Sequence, residues 1–162
     1  RRKSICLPPH PYNFIRNIWR GLHPLGMISI LLAKKNCKNI AAIMCLKFKE
    51  RVSCEYSVVD CDYMKLQPNH LLFWVAIRNA KREGFSIFDF GRTPTQHKGL
   101  IDFKRRWGTN ELDLVEFFSP ASMTCKATDY GGFRRNIIMR LCKVLPNRLF
   151  RNFGNFCYRH LG

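Results

Sequence analysis

The sequence predicts a mixed α/β fold, with one central sheet, flanking helices and a C-terminal helical tail. Three observations carry that reading. Residues 27–49 hold two apolar runs separated by a polar turn, the pattern of a β-hairpin. Residues 69–90 pass from a helical apolar period through a glycine into an apolar strand, which after an earlier strand makes a β-α-β unit. Beyond residue 133, Arg and Lys alternate with Ile, Leu and Phe, as in amphipathic helices.

Taken in order, residues 1–11 contain Pro8, Pro9 and Pro11 and read as an irregular lead-in. Residues 12–21 place Phe14, Ile15, Ile18 and Trp19 on one helical face and end at Gly21. A short strand over 27–33, the polar turn 34–39 and a second strand over 40–49 form a hairpin with a longer loop. Residues 52–59 alternate enough to make a third strand. Asn69 is placed to cap a helix that buries Leu72, Phe73, Ala76, Ile77 and Ala80; Lys81 and Arg82 fall in its last turn, and Gly84 takes the left-handed stop. A strand over 85–90 follows, then a polar loop over 91–98, a short helix or turn over 99–107 and a strand over 112–118. Residues 134–145 and 147–158 read as two amphipathic helices broken at Pro146. The expected organisation is an α/β domain over 1–133, with 134–162 as a basic tail packed on it.

A chain of 162 residues suits one domain with a real core. No apolar run approaches the roughly 20 residues of a membrane-spanning helix, so no transmembrane segment is expected. The opening Arg1-Arg2-Lys3 has no methionine and no apolar segment of signal-peptide type behind it, as in a trimmed chain or a fragment. None of the eight cysteines sits in a Cys-x-x-Cys pair, and no histidines stand at ligand spacing, so no metal is expected. Reduced, structural thiols in a cytoplasmic protein are the reading, with Cys54 and Cys61 the pair to check for a bond.

The net charge of +17 is unevenly placed. Residues 1–49 hold ten Lys or Arg and no acid, 50–129 hold eleven bases and eleven acids, and 130–162 hold seven bases and no acid. The middle is electrically balanced, and the positive field comes from the flanks. Such a field concentrates polyanions: RNA, anionic lipid headgroups or a diphosphate-linked substrate. A solvated basic face kept for solubility is the plainer alternative.

The chemistry-bearing residues cluster in the balanced middle. Asp89, Gly91 and Arg92 close the strand at 85–90, and strand ends face the crevice where α/β sheets bind ligands. Arg92 offers a planar fork for phosphate or carboxylate. Asp89 can orient Arg92, act as a base if burial raises its pKa, or serve in a structural Asp–Arg pair. Gly91 lets the backbone turn without a Cβ. His70, beside Asn69, suits a general base near pH 7 or a packing role, and His97 lies in the loop after Arg92.

The run Asp89-Phe90-Gly91-Arg92, followed by Phe103-Lys104-Arg105-Arg106-Trp107-Gly108, resembles the signature of the Fem-type (FemAB) transferases, which are GNAT-like acyltransferases in fold. The Leu-Ala-Lys-Lys-Asn-x-Lys-Asn-Ile-Ala-Ala hairpin is similar to the family's strand-turn-strand. The endings Arg140-Leu-Cys-Lys-Val-Leu-Pro-Asn-Arg-Leu and Tyr158-Arg-His-Leu-Gly resemble the tail of its polysaccharide-associated bacterial branch. The likeness runs from about Pro8 to the C-terminus. It implies a GNAT-like mixed sheet and an N-acyl or aminoacyl transferase that forms an amide on a cell-envelope or exopolysaccharide precursor.

By the same resemblance, Lys104 lies near the transferred group, where its charge would stabilise an oxyanion, with Phe103 and Trp107 packed beneath it. Asp89 and His70 join Lys104 as catalytic candidates, and Arg92, Gly91, Asn69, His97 and Trp107 as substrate-binding ones. The donor implied is acyl-CoA or aminoacyl-tRNA. An Arg/Gln-x-x-Gly-x-Gly/Ala loop of the acyl-CoA type has no clean copy here, which shifts weight towards tRNA. The implied partners are polyanionic (tRNA, CoA or a diphosphate-linked sugar), with peripheral contact at an anionic inner membrane face. Full-length members carry two GNAT-like lobes, and this length suits only the second. A rival reading is a non-catalytic module whose basic residues 133–162 bind RNA or an anionic membrane.

Overall fold

The computed structural model describes residues 10–115 together with Arg140, Pro146, Leu149 and Phe150. These fall in two compact units, and the first, Tyr12–Lys104, holds the sheet. Its elements are α1 (Tyr12–Leu22), β1 (Ile28–Lys35), β2 (Lys38–Phe48), β3 (Arg51–Val59), a 3-10 turn (Cys61–Leu66), α2 (Pro68–Arg82), β4 (Ile87–Asp89) and α3 (Lys98–Arg105). The strands are ordered β1-β2-β3-β4. The first three are antiparallel, and β4 runs parallel to β3, as a β-α-β crossover through α2 requires.

The expected hairpin is present, but its loop is short. Lys35 pairs with Lys38, leaving Asn36 (φ 47°) and Cys37 (φ 63°) as the two turn residues. Two successive left-handed residues twist the way the flanking strands do. The lysines at 34, 35 and 38 give the segment the look of a loop; all three are exposed strand residues, and Lys38 pairs with Asp60 at 3.0 Å.

Between β2 and β3, Cys45 pairs with Cys54 but Met44 pairs with Tyr56, so Glu55 is an extra residue in β3. Such a bulge restores the alternation of inward side chains and sharpens the local twist. The core is Ile28, Ala33, Ile40, Ala41, Ile43, Met44, Cys45, Val52 and Cys54 of the sheet, with Leu72, Phe73, Ala76 and Ala80 of α2. Those four helical residues follow the period read from the sequence, and α2 lies against β1, β2 and β3.

The start of α2 differs from expectation. Pro68, not Asn69, opens the helix, behind a left-handed Gln67 that makes no side-chain cap bond. Proline is suited to a first helical position because its missing N–H would be unused there. Asn69 Oδ1 instead accepts from Ser57 Oγ at 3.2 Å, tying the helix start to β3. The strand expected over 85–90 is shortened to three residues; of the strand expected over 112–118, residues 112–115 are not in a strand and 116–118 lie outside the described residues. The proposed 133/134 boundary lies outside the described residues, as does most of the tail. Of its two expected helices, Arg140, Leu149 and Phe150 are helical, and Phe150 N–H donates to Pro146 O at 2.9 Å.

Cys37, Cys45, Cys54 and Cys61 are all free thiols. The neighbour of Cys54 is Cys45 across the ladder, not Cys61. A hydrogen bond to Cys45, in which the Cys54 S–H donates, and burial together push the Cys54 thiol up, which makes it a poor nucleophile at neutral pH.

The turn gives a stability test. Cys37→Gly relieves a left-handed residue that carries a Cβ and creates Asn-Gly, the preferred pair for this turn. The expected gain is about 1 kcal/mol, read as a higher urea midpoint with an unchanged slope.

Candidate active site

An aromatic cluster sets where the site lies. Phe73 of α2 stacks on Phe90 (centroids 5.0 Å, 16°) and meets Phe88 and Phe103 at 6.4 and 5.6 Å. Phe88 and Phe90 lie edge to face at 5.2 Å. One ring of α2 therefore gathers both aromatics of the β4 end and the aromatic of α3, each pair adding to the area it buries. His70 sits edge-on to Phe103 at 5.1 Å.

The chain turns away from the sheet directly beyond this cluster. The parallel ladder has three rungs, Arg51–Ile87, Val52–Phe88 and Ser53–Asp89. Gly91 then takes φ +73°, and a Cβ there would come within 3.1 Å of Cys54 O. Both backbone groups of Gly91 are held. Its N–H donates to Asp89 Oδ1 at 2.7 Å, and its carbonyl accepts from Lys104 Nζ at 2.5 Å. Beyond Ser53, no strand among the described residues pairs with that edge of β3. The carboxyl end of β4 thus lies beside the third residue of β3, at the point where that edge of β3 becomes open, and crevices beyond the carboxyl ends of strands are where α/β sheets place ligands.

Asp89 pairs with Arg51, whose Nη1 is 3.2 Å from Oδ2, and not with Arg92. Strand alternation turns Asp89 to the face opposite Phe88 and Phe90; it meets Lys104 through Gly91. Burial holds the Lys104 ammonium below its ordinary value, against the opposing pull of Cys54 and Asp89. Arg92 is exposed and makes no hydrogen bond or ion pair among the described residues. Next to it, Thr93 Oγ1 is buried with no hydrogen-bond partner. A buried hydroxyl without a partner is costly and marks a position a ligand can satisfy. Nothing in the sequence singled out Thr93 or Arg51, because neither burial nor a 38-residue separation leaves a local signal.

Asn69 is bound to Ser57 as described, and His97 is exposed two residues after Thr95, in the turn leading to α3. Trp107 is half-buried beyond α3, in the second unit, where Arg105 also forms a two-pronged ion pair with Glu111. Among the described residues no cluster of His, Cys, Asp or Glu could hold a metal, and no helix is long and apolar enough to cross a membrane. The first turn of α2 is a poor cradle for a diphosphate. Pro68 has no N–H, and His70 N–H is already donated to Gln67 O at 3.0 Å.

Comparison with known proteins agrees with this architecture. Residues 1–105 match the family described as an acetyltransferase (GNAT) domain. A stretch of 60 residues is 35% identical to the lipid II:glycine glycyltransferase of two Staphylococcus epidermidis strains, RP62A and FDA PCI 1200, covering 33% of this chain and 14% of the relative. The chain thus accounts for a small part of that relative's length. Among solved structures, AAC(6')-Iy in complex with the bisubstrate analog CoA-S-monomethyl-acetylneamine superposes with TM-score 0.60 at 14% identity, over 72% of this chain and 84% of that one. The aminoglycoside acetyltransferase meta-AAC0020 from an uncultured soil metagenomic sample, in complex with sisomicin, gives 0.54 at 14%, over 63% and 71%. At that identity the two structures bear on the fold alone. The GNAT-like sheet and the Fem-type likeness read from the sequence are both supported.

Two tests follow from the grip on Gly91. Gly91→Ala puts a Cβ at positive φ against the Cys54 carbonyl and should cost about 1–2 kcal/mol, seen in denaturant titration. Lys104→Met isolates the buried charge. Below its lowered folded pKa, the desolvation cost is present in full; it is released as pH climbs from there towards 10.5. The stability of the parent relative to Lys104→Met should therefore rise with pH across that window. A flat difference would mean the ammonium is solvated.

Proposed function

This chain belongs to the acetyltransferase (GNAT) domain family, and on that premise we propose that it transfers an activated acyl group to an amine at the carboxyl end of β4, beside the open edge of β3. The observation that carries the proposal is that an exposed Arg92 guanidinium, without a hydrogen bond or ion pair among the described residues, is next in sequence to the buried, unsatisfied Thr93 hydroxyl beside the open edge of β3. An extended donor arm fits a strand edge, where main-chain groups supply hydrogen bonds. Arg92 then grips the carrier's phosphate, and Thr93 Oγ1 meets a polar atom of the donor.

In the reaction, the amine nitrogen attacks the acyl carbonyl carbon. The tetrahedral oxyanion collapses, the bond to the carrier's sulfur or oxygen breaks, and the amine's proton leaves to solvent. Holding the reactants together supplies much of the acceleration. Lys104 acts by fixing Gly91, and through it the position of Arg92 and Thr93; Asp89 holds the other side of the same residue. His70, packed on Phe103, positions the start of α2.

The donor is an activated acyl ester on a phosphate-bearing carrier. Acyl-CoA and aminoacyl-tRNA share that chemistry. The family favours the first. The weak diphosphate cradle at α2 and the net charge of +17 favour a carrier gripped mainly through other phosphates. The acceptor we propose is an amine on a cell-envelope or exopolysaccharide precursor, supported by the local likeness to a lipid II:glycine glycyltransferase.

Calorimetric titration of the chain with acetyl-CoA and, separately, with an aminoacyl-tRNA distinguishes the donors. Arg92→Ala should weaken the one that binds by about tenfold or more, the loss of one charge-assisted hydrogen bond. Thr93→Val should weaken it without altering the fold. Affinity for neither, or affinity indifferent to both substitutions, would remove the site from this location.

A further inference from the structure

The outward face of α2 is unlike that of an ordinary solvated helix. Opposite its buried Leu72, Phe73, Ala76 and Ala80 it presents Leu71, Trp74, Arg78, Lys81 and Arg82, positions that share one side at helical spacing. Leu71 is 59% exposed and Trp74 56%, while the three cations are exposed and the helix contains no acid. The 3-10 turn leading into it leaves Met64 and Leu66 exposed as well. Large apolar side chains therefore stand at one end of the face and positive charge at the other.

We propose that this face docks the protein on a bilayer surface carrying anionic phospholipid. Trp74 would sit at headgroup level, where an amphipathic ring is favoured. Leu71, with Met64 and Leu66, would reach the acyl boundary, and Arg78, Lys81 and Arg82 would meet lipid phosphates. Interfacial binding draws on both kinds of contact at once. Two other occupants fit less well. RNA would engage the cations and stack on Trp74, but the aliphatic side chains gain little from bases. A second copy would set the same cationic face against itself, since a two-fold contact pairs a patch with its own image. The inference rests on α2 and the 3-10 turn before it, not on the acyl-transfer reading or on residues 134–162.

The test uses the full chain and sedimented vesicles of phosphatidylcholine, with and without phosphatidylglycerol. Binding should need the anionic lipid. Replacing Arg78, Lys81 and Arg82 together by Glu should weaken it about a hundredfold or more. Trp74→Ser with Leu71→Ser should lower what binding persists at high salt. In case those variants fold poorly, brominated lipid supplies an independent measurement: it should quench the parent's tryptophan emission, and much less that of Trp74→Phe, which keeps a ring in place. The proposal is overturned by equal binding to neutral vesicles, by parent and Trp74→Phe quenched alike, by substitutions that weaken RNA binding and not vesicle binding, or by a homodimer that buries Trp74.

Discussion

Gly91 is the residue on which the site's geometry depends. Its amide is taken by Asp89 and its carbonyl by Lys104, and its missing side chain lets the backbone lie beside the Cys54 carbonyl. None of these contacts is strong alone, since each is part-exposed and a typical net hydrogen bond contributes about 1 kcal/mol. Their effect is geometric. With three points of a turning residue held, the direction in which Arg92 and Thr93 leave the sheet is set. Any other residue at 91 would bring a Cβ into conflict with φ or with Cys54.

The grip works only because the elements that supply it are themselves fixed. Asp89 is braced by Arg51 at the start of β3, and Lys104 is carried by α3, whose Phe103 is bound into the aromatic cluster around Phe73. Burial of that cluster by α2 therefore reaches the site through two routes, one along β4 and one through α3. The cross-strand pair Cys45–Cys54 lies in the same core and behaves as packing. Its raised Cys54 thiol has no chemical task in this arrangement. On the far side of α2, the exposed Leu71, Trp74 and cations lie outside that network, so a surface contact there need not disturb the acyl-transfer geometry.

Much of the fold was legible in the sequence because it rests on periodicity. The helical spacing of Leu72, Phe73, Ala76 and Ala80, the stop at Gly84 and the alternation in β2 and β3 are each local signals. Errors arose where a single long-range contact outranked a local preference. Asn69 looked like a cap, but Ser57 claims its side chain and Pro68 opens the helix. The lysines around Asn36 suggested a loop, yet two left-handed residues close the turn. At the candidate site, three of the residues named from the sequence, Asp89, Gly91 and Lys104, are brought together, but their partners were not legible. Asp89 pairs with Arg51 rather than Arg92, and Lys104 is engaged by a backbone carbonyl. Thr93 carried no signal at all, because an unsatisfied hydroxyl is visible only once burial is known.

Amide hydrogen exchange at Gly91 tests the central constraint most directly. With its N–H bound to Asp89 and its carbonyl held by Lys104, the Gly91 amide should exchange well below the rate of an open loop amide. It should speed up at least about tenfold in both Asp89→Ala and Lys104→Met if the two contacts act as one clamp. A Gly91 amide that exchanges at the open-loop rate in the parent, or that responds to Asp89→Ala while ignoring Lys104→Met, would contradict the account.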